Sequence, residues 1–273
     1  MSDAPTDRRG GSEATSARDP SAVTAALAAR QGVPALALSV TDVVERGAGM
    51  RQVTVADPRL AEAPWHPGQD LTISLPATGG RSVTRRYSIR RLDRDRATAD
   101  LLASAHGSGP GARWVAAVRP GDRLEAIGPR GKIWATPDAS WHLFVGDETY
   151  LAASFAMAES LPGGATATVV LEVGPDVGEE PCEAVAELRG PYRVVRNPVG
   201  AGEPGVELID ALERLDLPPG SGDGHAYLGG EAKLVAALRA WLIGHGWQAE
   251  AISAKAYWRS DKANQDHGEP ERD

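Results

Sequence analysis

Residues 141–173 read WHLFVGDETYLAASFAMAESLPGGATATVVLEV. A short apolar run is followed by the turn-forming letters GDET, by a longer apolar segment, by a Pro-Gly-Gly stop and by a second run rich in valine. This order and length are those of one strand–helix–strand unit, in which the two strands lie parallel. The stretch therefore predicts an α/β domain built on a mostly parallel sheet.

The same alternation continues along the rest of the predicted domain. A short strand is predicted over 192–197 and a short helix over 206–215. The segment 225–246 then has the pattern of a strand, a glycine turn and a helix, and 251–258 that of a last strand. We therefore predict a doubly wound α/β domain of the nucleotide-binding type over residues 137–260.

The preceding part of the chain has the pattern of short strands instead. In DLTISLP (70–76), Leu71, Ile73 and Leu75 alternate with other residues and so share one face of a strand. Several short strands at this spacing predict a small antiparallel β-barrel, which we place over residues 31–136. The other strand-like segments are RQVTVAD (51–57), RRYSIRRL (85–92) and TADLLAS (98–104).

Both ends of the chain are predicted to be disordered tails, over 1–30 and 261–273, because of their polar composition. Within the first of them, SAVTAALAARQG (21–32) has a short helical pattern that stops at Gly32. The N-terminus lacks the apolar run of a signal peptide, and no apolar segment has the length to span a membrane. We therefore expect a cytoplasmic protein without a membrane partner.

Composition argues against several classes of function. The net charge of −8 disfavours a general nucleic-acid binder, because phosphate backbones attract basic surfaces. The single cysteine, Cys182, allows neither an internal disulfide nor a cysteine cluster for zinc or iron–sulfur. The six histidines never fall three or four residues apart, so no helix presents a pair of histidine ligands. We expect no metal site in the protein itself and no nucleic-acid partner.

Four stretches in register resemble the siderophore-interacting, FAD-binding proteins, which are ferric-siderophore reductases of the ferredoxin-reductase superfamily. Their order and spacing agree with that family from about residue 36 to residue 260. The resemblance implies an FAD-binding barrel, an NAD(P)-binding-like α/β domain and a monomer. The stretches are RRYSIR (85–90), HGSGPGARWVAAVRPGD (106–122) leading to GPRG (128–131), GDETYLAA (146–153), and GGEAKLVAALRAWL (229–242) with KAYWR (255–259).

The resemblance also implies where FAD binds. Arg86 is expected to face the FAD pyrophosphate, because the guanidinium fork suits phosphate oxygens. Tyr87 is expected to pack on the isoalloxazine ring, and Ser88 to hydrogen-bond to it. The other residues expected to contact FAD are His106, Gly107, Gly109, Gly111, Ala112, Trp114, Asp147, Thr149, Tyr257 and Trp258.

Two of these segments have physical explanations of their own. The glycines of 107–111 let backbone N–H groups approach an anion closely, and the helix predicted to follow them presents its positive end to phosphate. A glycine-rich hairpin turn is the alternative explanation for that segment. Thr149 is alternatively a helix N-cap, a role that needs no ligand.

The GDET turn lies where a doubly wound domain binds its ligand, between a strand and a helix. The chain departs from the family here, because Tyr150 and Ala152 stand where the family commonly has a small residue and a proline. A tyrosine at this position either stacks on the nicotinamide ring or obstructs it. Glu172 favours NADH and Arg196 favours NADPH, and the sequence does not rank them. The residues expected to contact the nicotinamide nucleotide are Gly146, Tyr150, Gly229, Gly230 and Glu231.

The resemblance implies that electrons pass from NADH or NADPH through FAD to a ferric siderophore, which then releases Fe(II). Lys132, Lys255 and Arg259 are expected to receive the anionic siderophore, and a solvated edge strand is the alternative explanation for these cations. No catalytic side chain is assigned, because positioning and tuning of the cofactor suffice, and Ser88 is the nearest candidate.

Two other functions stay open. One is a flavoenzyme of the same fold in a biosynthetic pathway, which acts on an organic substrate or supplies electrons to a partner, with nicotinamide use altered or lost. The other is a protein that binds a siderophore or a flavin without turnover.

Overall fold

The computed structural model describes residues 19–47, 49–76, 82–105, 107–162, 165–173, 205–215, 217, 220 and 222–259, and the backbone of 193–196. The described strands form a closed barrel and a second, open sheet that follows it in the chain. The predicted fold class, an antiparallel barrel followed by a doubly wound α/β domain, is confirmed.

The barrel is closed by antiparallel strands in the order β1-β2-β5-β4-β3-β6. Alternate residues point inward, where Leu36, Leu38, Leu71, Ile73 and Leu101 are fully buried. Closure pairs every barrel strand on both sides, so the barrel exposes no free strand edge. Its elements are α1 (Ala22–Gln31), β1 (Ala35–Glu45), β2 (Met50–Ala56), a 3₁₀ turn (Pro58–Leu60), β3 (Asp70–Pro76), β4 (Ser82–Asp93), β5 (Thr98–Ser104), α2 (Pro110–Ala117) and β6 (Arg123–Arg130).

Helix α1 packs against β1 and β6 and corrects one prediction. Ser21 caps the helix by accepting a hydrogen bond from the backbone N–H of Thr24, and Gly32 ends it in the left-handed conformation. The Ser21 hydroxyl also donates to Glu125 on β6, at 2.5 Å. Residues 22–30 are therefore a helix on the barrel and not a disordered tail, because the cap, the helical pattern and the glycine stop outweigh the polar composition of the segment before them.

The second sheet is parallel throughout, in the order β11-β10-β7-β8-β9. The chain enters at the central β7, runs outward through β8 and β9, and returns to the other side of β7 as β10. The strand order thus reverses between β7 and β10, and folds of this kind bind ligands in the crevice at the carboxyl ends of such strands. The elements are β7 (Trp141–Asp147), a 3₁₀ turn (Glu148–Tyr150), α3 (Leu151–Glu159), β8 (Thr166–Val173), β9 (Arg193–Arg196), α4 (Val206–Glu213), β10 (Gly224–Glu231), α5 (Ala232–Gly244), a 3₁₀ turn (Ala249–Ala251) and β11 (Ile252–Trp258).

Polar contacts join the barrel to the α/β domain. Arg90 on β4 donates both terminal nitrogens to the Glu159 carboxylate on α3, at 2.7 and 2.5 Å. The same guanidinium lies 5.6 Å from the centroid of the Phe155 ring. Ser104 on β5 donates to Glu148, in the turn that follows β7, at 2.7 Å. These contacts fix the end of β7 against the barrel, so the crevice of the second sheet faces strands β4 and β5.

Candidate functional site

The side chains of the RRYS segment (85–88) of strand β4 point alternately to the two faces of the sheet. Tyr87 pairs with Leu71 and Arg85 with Ile73 in the β3–β4 register. Directly opposed residues of neighbouring strands point to the same face of a sheet, so Arg85 and Tyr87 lie on the face shared with the barrel core. Arg86 and Ser88 lie on the other face. The two neighbouring arginines therefore have different surroundings.

Arg85 and Tyr87 meet the start of helix α2. The rings of Tyr87 and Trp114 are 4.8 Å apart and tilted by 52°. A Cβ atom added to Gly111 would lie 3.0 Å from the Tyr87 hydroxyl and 3.6 Å from Cγ of Arg85, so a larger residue there would require Tyr87 to shift by a few tenths of an ångström. The Tyr87 hydroxyl and the Trp114 indole nitrogen are buried and have no hydrogen-bond partner among the described residues. Burial raises the pKa of the Tyr87 phenol, and the Arg85 charge opposes that rise.

The N-terminus of α2 is open. Its N-cap residue is Gly109, and in the part of the chain that the structure describes no side chain caps the first turn, which contains Gly111 and Ala112. Added Cβ atoms at Gly107 and Gly109 would touch nothing within 4 Å. Backbone N–H groups at an uncapped helix start attract anions. His106, which the sequence also predicts at this site, lies outside the described residues.

On the other face of β4, one carboxylate holds two cations. Arg86 donates through Nε and Nη2 to the Asp70 carboxylate, at 2.9 and 2.7 Å, and Lys255 Nζ donates to the same carboxylate at 2.9 Å. Asp70 is 2% exposed and Lys255 is 8% exposed. Tyr257 lies beside this cluster, with its hydroxyl 3.4 Å from the Ser88 hydroxyl oxygen. Lys255 thus joins β11 to the barrel in a buried ion cluster and does not belong to a surface patch.

The Asp147 carboxylate is the centre of a hydrogen-bond network in the crevice between β7 and β10. It accepts hydrogen bonds from the backbone N–H and the hydroxyl of Thr149, from the backbone N–H of Glu231, and from the Trp258 indole, at 2.9, 2.5, 2.7 and 2.9 Å. Burial raises the pKa of Asp147, and these hydrogen bonds oppose the rise. Asp147 itself caps the 3₁₀ turn and Tyr150 stands at the N-cap position of α3, so the alternative role of Thr149 as the N-cap is wrong. Glu231 in turn caps α5 through its side chain.

Tyr150 fills the floor of this crevice. The residue is 3% exposed, and its ring makes an edge contact with Tyr257, with ring centroids 5.8 Å apart at 90°. Added Cβ atoms would lie 2.3 Å from the ring at Gly229 and 2.9 Å from it at Gly146, while one at Gly230 would lie 2.5 Å from the Asp147 carboxylate. Of the two roles that the sequence leaves open for Tyr150, this position favours obstruction.

Glu172 lies at the carboxyl end of β8, opposite Asp147 in the β7–β8 register. Burial, with additional repulsion from Asp147 and Glu207, raises the pKa of its carboxyl group to about 7. A carboxyl group with this pKa changes its charge near neutral pH. The side chain of Arg196, the other residue considered for nucleotide preference, lies outside the described residues.

The Glu172 carboxyl group is expected to make the protein less stable as the pH rises from about 4.5 to about 7. In this window the folded protein keeps the proton that the unfolded chain has already released, so a higher pH favours unfolding. Urea denaturation of the wild type and of Glu172→Gln at several pH values measures the effect. We expect equal stability at about pH 5 and a more stable variant at about pH 8, because glutamine resembles the protonated acid. An identical pH dependence in the two proteins would contradict this expectation.

The structure thus places the predicted residues at three sites and at two exposed positions. Tyr87, Gly109, Gly111, Ala112 and Trp114 lie at the barrel and α2. Ser88, Tyr257 and Lys255 lie with Arg86 and Asp70 at the junction of the two domains, and Lys132 and Arg259 are exposed. Sequence reasoning missed Arg85 and Asp70. The period-two rule contains the signal for Arg85, because residues two apart on a strand share a face. The residues in the crevice are Gly146, Asp147, Thr149, Tyr150, Gly229, Gly230, Glu231 and Trp258.

The chain is thus a two-domain protein, in which a closed antiparallel barrel is followed by a parallel α/β sheet whose strand order reverses at a polar crevice. The sequence profile described as the siderophore-interacting FAD-binding domain matches residues 52–133. The profile described as siderophore-interacting protein matches residues 139–261. The chain belongs to the siderophore-interacting protein family, and the family predicted from the four sequence stretches is confirmed.

Individual relatives agree with this assignment. Ferric vibriobactin reductase ViuB of Vibrio cholerae serotype O1 is 31% identical over 184 residues, which make up 67% of this chain and 66% of ViuB. An uncharacterized protein of Mycobacterium tuberculosis is 32% identical over 209 residues, 72% of this chain and 71% of that protein. The crystal structure of the siderophore-interacting protein SipS from Aeromonas hydrophila is 27% identical, with a TM-score of 0.70 over 85% of this chain and 94% of SipS.

Proposed function

We propose that this protein is an FAD-dependent reductase that passes electrons to a ferric siderophore and so releases Fe(II). The observation that carries the proposal is the meeting of Arg85, Tyr87 and the start of α2 at one place on the barrel. The reductase name of ViuB supports the reaction class. In the proposed reaction the iron is the substrate.

The residues at the barrel fit FAD. The pyrophosphate is an anion, and both the Arg85 guanidinium and the N–H groups at the start of α2 favour an anion there. Tyr87 and Trp114 supply flat apolar surface beside it. Their buried hydroxyl and indole N–H have no hydrogen-bond partner among the described residues, and a polar ligand can provide one. We therefore reassign the pyrophosphate role predicted for Arg86 to Arg85, because Arg86 is engaged by Asp70 on the opposite face.

Bound flavin supplies the ability to take up two electrons together and release them singly, as reduction of Fe(III) requires. The chain's own residues hold and orient the cofactor. Ser88 and Tyr257 place two hydroxyl groups between the barrel and β11, within 3.4 Å of each other. The buried Lys255 charge lies 5.4 Å from the Tyr257 ring centroid. None of these groups needs to take or give a proton for electron transfer to iron.

Ferric siderophores that carry negative charge require an accessible basic surface. Lys132, directly after β6, and Arg259, directly after β11, are exposed and provide candidate contacts. Because Lys255 is buried with Asp70, we do not include it among the proposed siderophore contacts. We also propose, as the sequence predicts, that the protein is a monomer and lies in the cytoplasm. Among the residues that the structure describes, no helix is long and apolar enough to cross a membrane.

Arg85→Ala is expected to weaken FAD binding by about 10- to 100-fold, because a charge-assisted hydrogen bond to phosphate contributes about 1.5–3 kcal/mol. Fluorescence titration of the flavin-free protein with FAD measures the dissociation constant. Arg96→Ala is the matched control, since it removes an arginine that is 82% exposed on a turn. Equal FAD affinity in the two variants would contradict the Arg85 assignment. If Arg86→Ala alone lost affinity for FAD while its stability was preserved, the pyrophosphate role would return to Arg86.

The function itself is tested without a biological electron donor. FAD-loaded protein is reduced with dithionite under anaerobic conditions and mixed with a ferric catecholate siderophore, with the iron-free siderophore or with buffer. We expect rapid return of the oxidised flavin spectrum only with the ferric form. A flavin that stays reduced in all three would argue for the biosynthetic flavoenzyme, and failure to bind FAD would exclude both enzyme functions.

One observation favours the second candidate function, a biosynthetic flavoenzyme with altered nicotinamide use. NADH and NADPH were the predicted donors, and the crevice of the α/β domain does not fit them as it stands, because Tyr150 lies in it. An organic substrate then replaces the siderophore, and flavin reoxidation depends on that substrate and not on iron.

A further inference from the structure

We propose that the ring of Tyr150 occupies the position that a nicotinamide nucleotide needs between β7 and β10, so that Tyr150 sets the protein's affinity for NADH and NADPH. The inference rests on the proposed function in one respect. It assumes that a hydride donor reaches the flavin from the α/β domain.

The shape of the crevice is the first support. Gly146 and Gly229 lie opposite each other in the β7–β10 register and present bare backbone at the strand ends. A Cβ atom added to Gly229 would lie 2.3 Å from Cδ2 of Tyr150, and one added to Gly146 would lie 2.9 Å from its Cδ1. Carbon atoms in contact are about 3.5–4.0 Å apart. The ring therefore fills the space that Gly229 leaves open, while a Cβ atom at Gly146 would also overlap the Gly229 carbonyl oxygen, at 1.9 Å. A dinucleotide backbone cannot lie beside Gly229 at the same time as the ring.

The polar groups at the mouth of the crevice also have hydrogen-bond partners within the protein. The backbone N–H of Glu231 donates to Asp147, and the Glu231 side chain accepts from the backbone N–H of Leu234 at 3.2 Å. The Trp258 indole donates to Asp147 from β11. These bonds use donors at the end of β10 and the start of α5, where a pyrophosphate binds in folds of this class. A nucleotide has to displace them together with the ring.

The ring is held by apolar packing and not by its hydroxyl. Tyr150 belongs to the buried cluster that includes Phe155, Leu171 and Tyr227. Its hydroxyl is buried and has no hydrogen-bond partner among the described residues. Removal of the hydroxyl should therefore leave the ring in place, whereas a nucleotide that displaces the ring exposes apolar surface to water. The apparent dissociation constant is the intrinsic one divided by the fraction of molecules in which the ring has left the crevice. It therefore rises as that fraction falls.

Titration of the full-length, FAD-loaded protein with NADP⁺ and NAD⁺ in a calorimeter tests the inference. The variants are Tyr150→Ala, Tyr150→Leu and Tyr150→Phe. We expect dissociation constants of about 1 mM or weaker for the wild type and Tyr150→Phe, and binding at least about 10-fold tighter for Tyr150→Ala and Tyr150→Leu. Equal affinity of the wild type and both smaller variants overturns the inference, and so does a Tyr150→Phe variant that binds as tightly as Tyr150→Ala.

The test also covers the case in which a variant does not fold. If Tyr150→Ala unfolds because of the cavity that it leaves, Tyr150→Leu retains more of the apolar volume. If both fail to fold, the wild type alone decides: a dissociation constant of about 10 μM or tighter overturns the inference, and one of about 1 mM or weaker supports it. The readout is binding of an oxidised nucleotide, so it is independent of iron reduction. Failure of the siderophore assay with chemically reduced protein would therefore remove the proposed function and leave the Tyr150 result standing.

Discussion

Asp70→Asn is expected to lower the free energy of unfolding by about 3–5 kcal/mol. The Asp70 carboxylate accepts hydrogen bonds from Arg86 and Lys255, and both Asp70 and Lys255 are buried. Asparagine keeps the size of the side chain and removes its charge. The Lys255 ammonium then stays in a low-dielectric environment without this counter-charge, and desolvation of the cation is no longer offset.

Chemical denaturation of the two proteins, followed by circular dichroism, measures this difference. Asp210→Asn is the control, because Asp210 pairs with Arg214 at 3.8 Å on an exposed helix surface and should change stability by less than about 1 kcal/mol. Lys255 reaches Asp70 across 185 residues of sequence, from β11 to the barrel. We therefore also expect the variant to loosen the contact between the domains, seen as faster proteolysis in their connection. A variant as stable as the wild type would show that the cluster does not hold the domains together.

Gly146→Ala is expected to cost about 3 kcal/mol or more of folding stability. A Cβ atom at residue 146 would lie 1.9 Å from the carbonyl oxygen of Gly229, an overlap with the backbone of the neighbouring strand. The backbone cannot yield without separating β7 from β10 at the point where Asp147 and Glu231 are hydrogen-bonded. Gly146 is thus required by strand packing, whether or not a nucleotide binds beside it.

Gly244→Ala is the matched control for this substitution. An added Cβ atom at Gly244, the last residue of α5, would touch nothing within 4 Å. Alanine there is expected to be neutral or to stabilise the protein by about 0.4–1 kcal/mol, because it reduces the entropy of the unfolded chain. Thermal denaturation of both variants gives the comparison. A Gly146→Ala variant that melts with the wild type would mean that the strand ends are farther apart than the structure indicates.

Periodicity was sufficient to predict both domains. The alternation of Leu71, Ile73 and Leu75 indicates a strand with one buried face, and all three point into the barrel. The strand–helix–strand pattern of 141–173 indicates parallel strands, and β7 and β8 are parallel neighbours. Such patterns work because burial of one face repeats with the geometry of the element itself.

The roles of individual site residues were harder to predict. Arg85 and Arg86 are adjacent, and only the pairing of β3 with β4 decides which of them shares a face with Tyr87. The partner of Lys255 lies in a distant part of the sequence, so the lysine was predicted to be a surface cation although it is buried. Long-range pairing of charges leaves no local pattern, because it depends on how whole domains pack.

The glycines of the crevice show a related limit. Bare backbone at the end of a strand is equally suited to a bound dinucleotide and to a close aromatic side chain. The sequence identified Tyr150 as a departure from the family, and the distances from Gly146 and Gly229 are the basis of our proposal that its ring obstructs the nucleotide.

The central claim is that the barrel holds a flavin that gives electrons to siderophore-bound iron, and an anaerobic titration tests it most directly. FAD-loaded protein is fully reduced with dithionite, freed of excess reductant and titrated with a ferric siderophore in the presence of an Fe(II)-specific chromophoric chelator. We predict about two Fe(II) for each flavin reoxidised, because reduced flavin carries two electrons and each Fe(III) accepts one. A flavin that stays reduced after excess ferric siderophore has been added, with no Fe(II) formed, would contradict the proposed function.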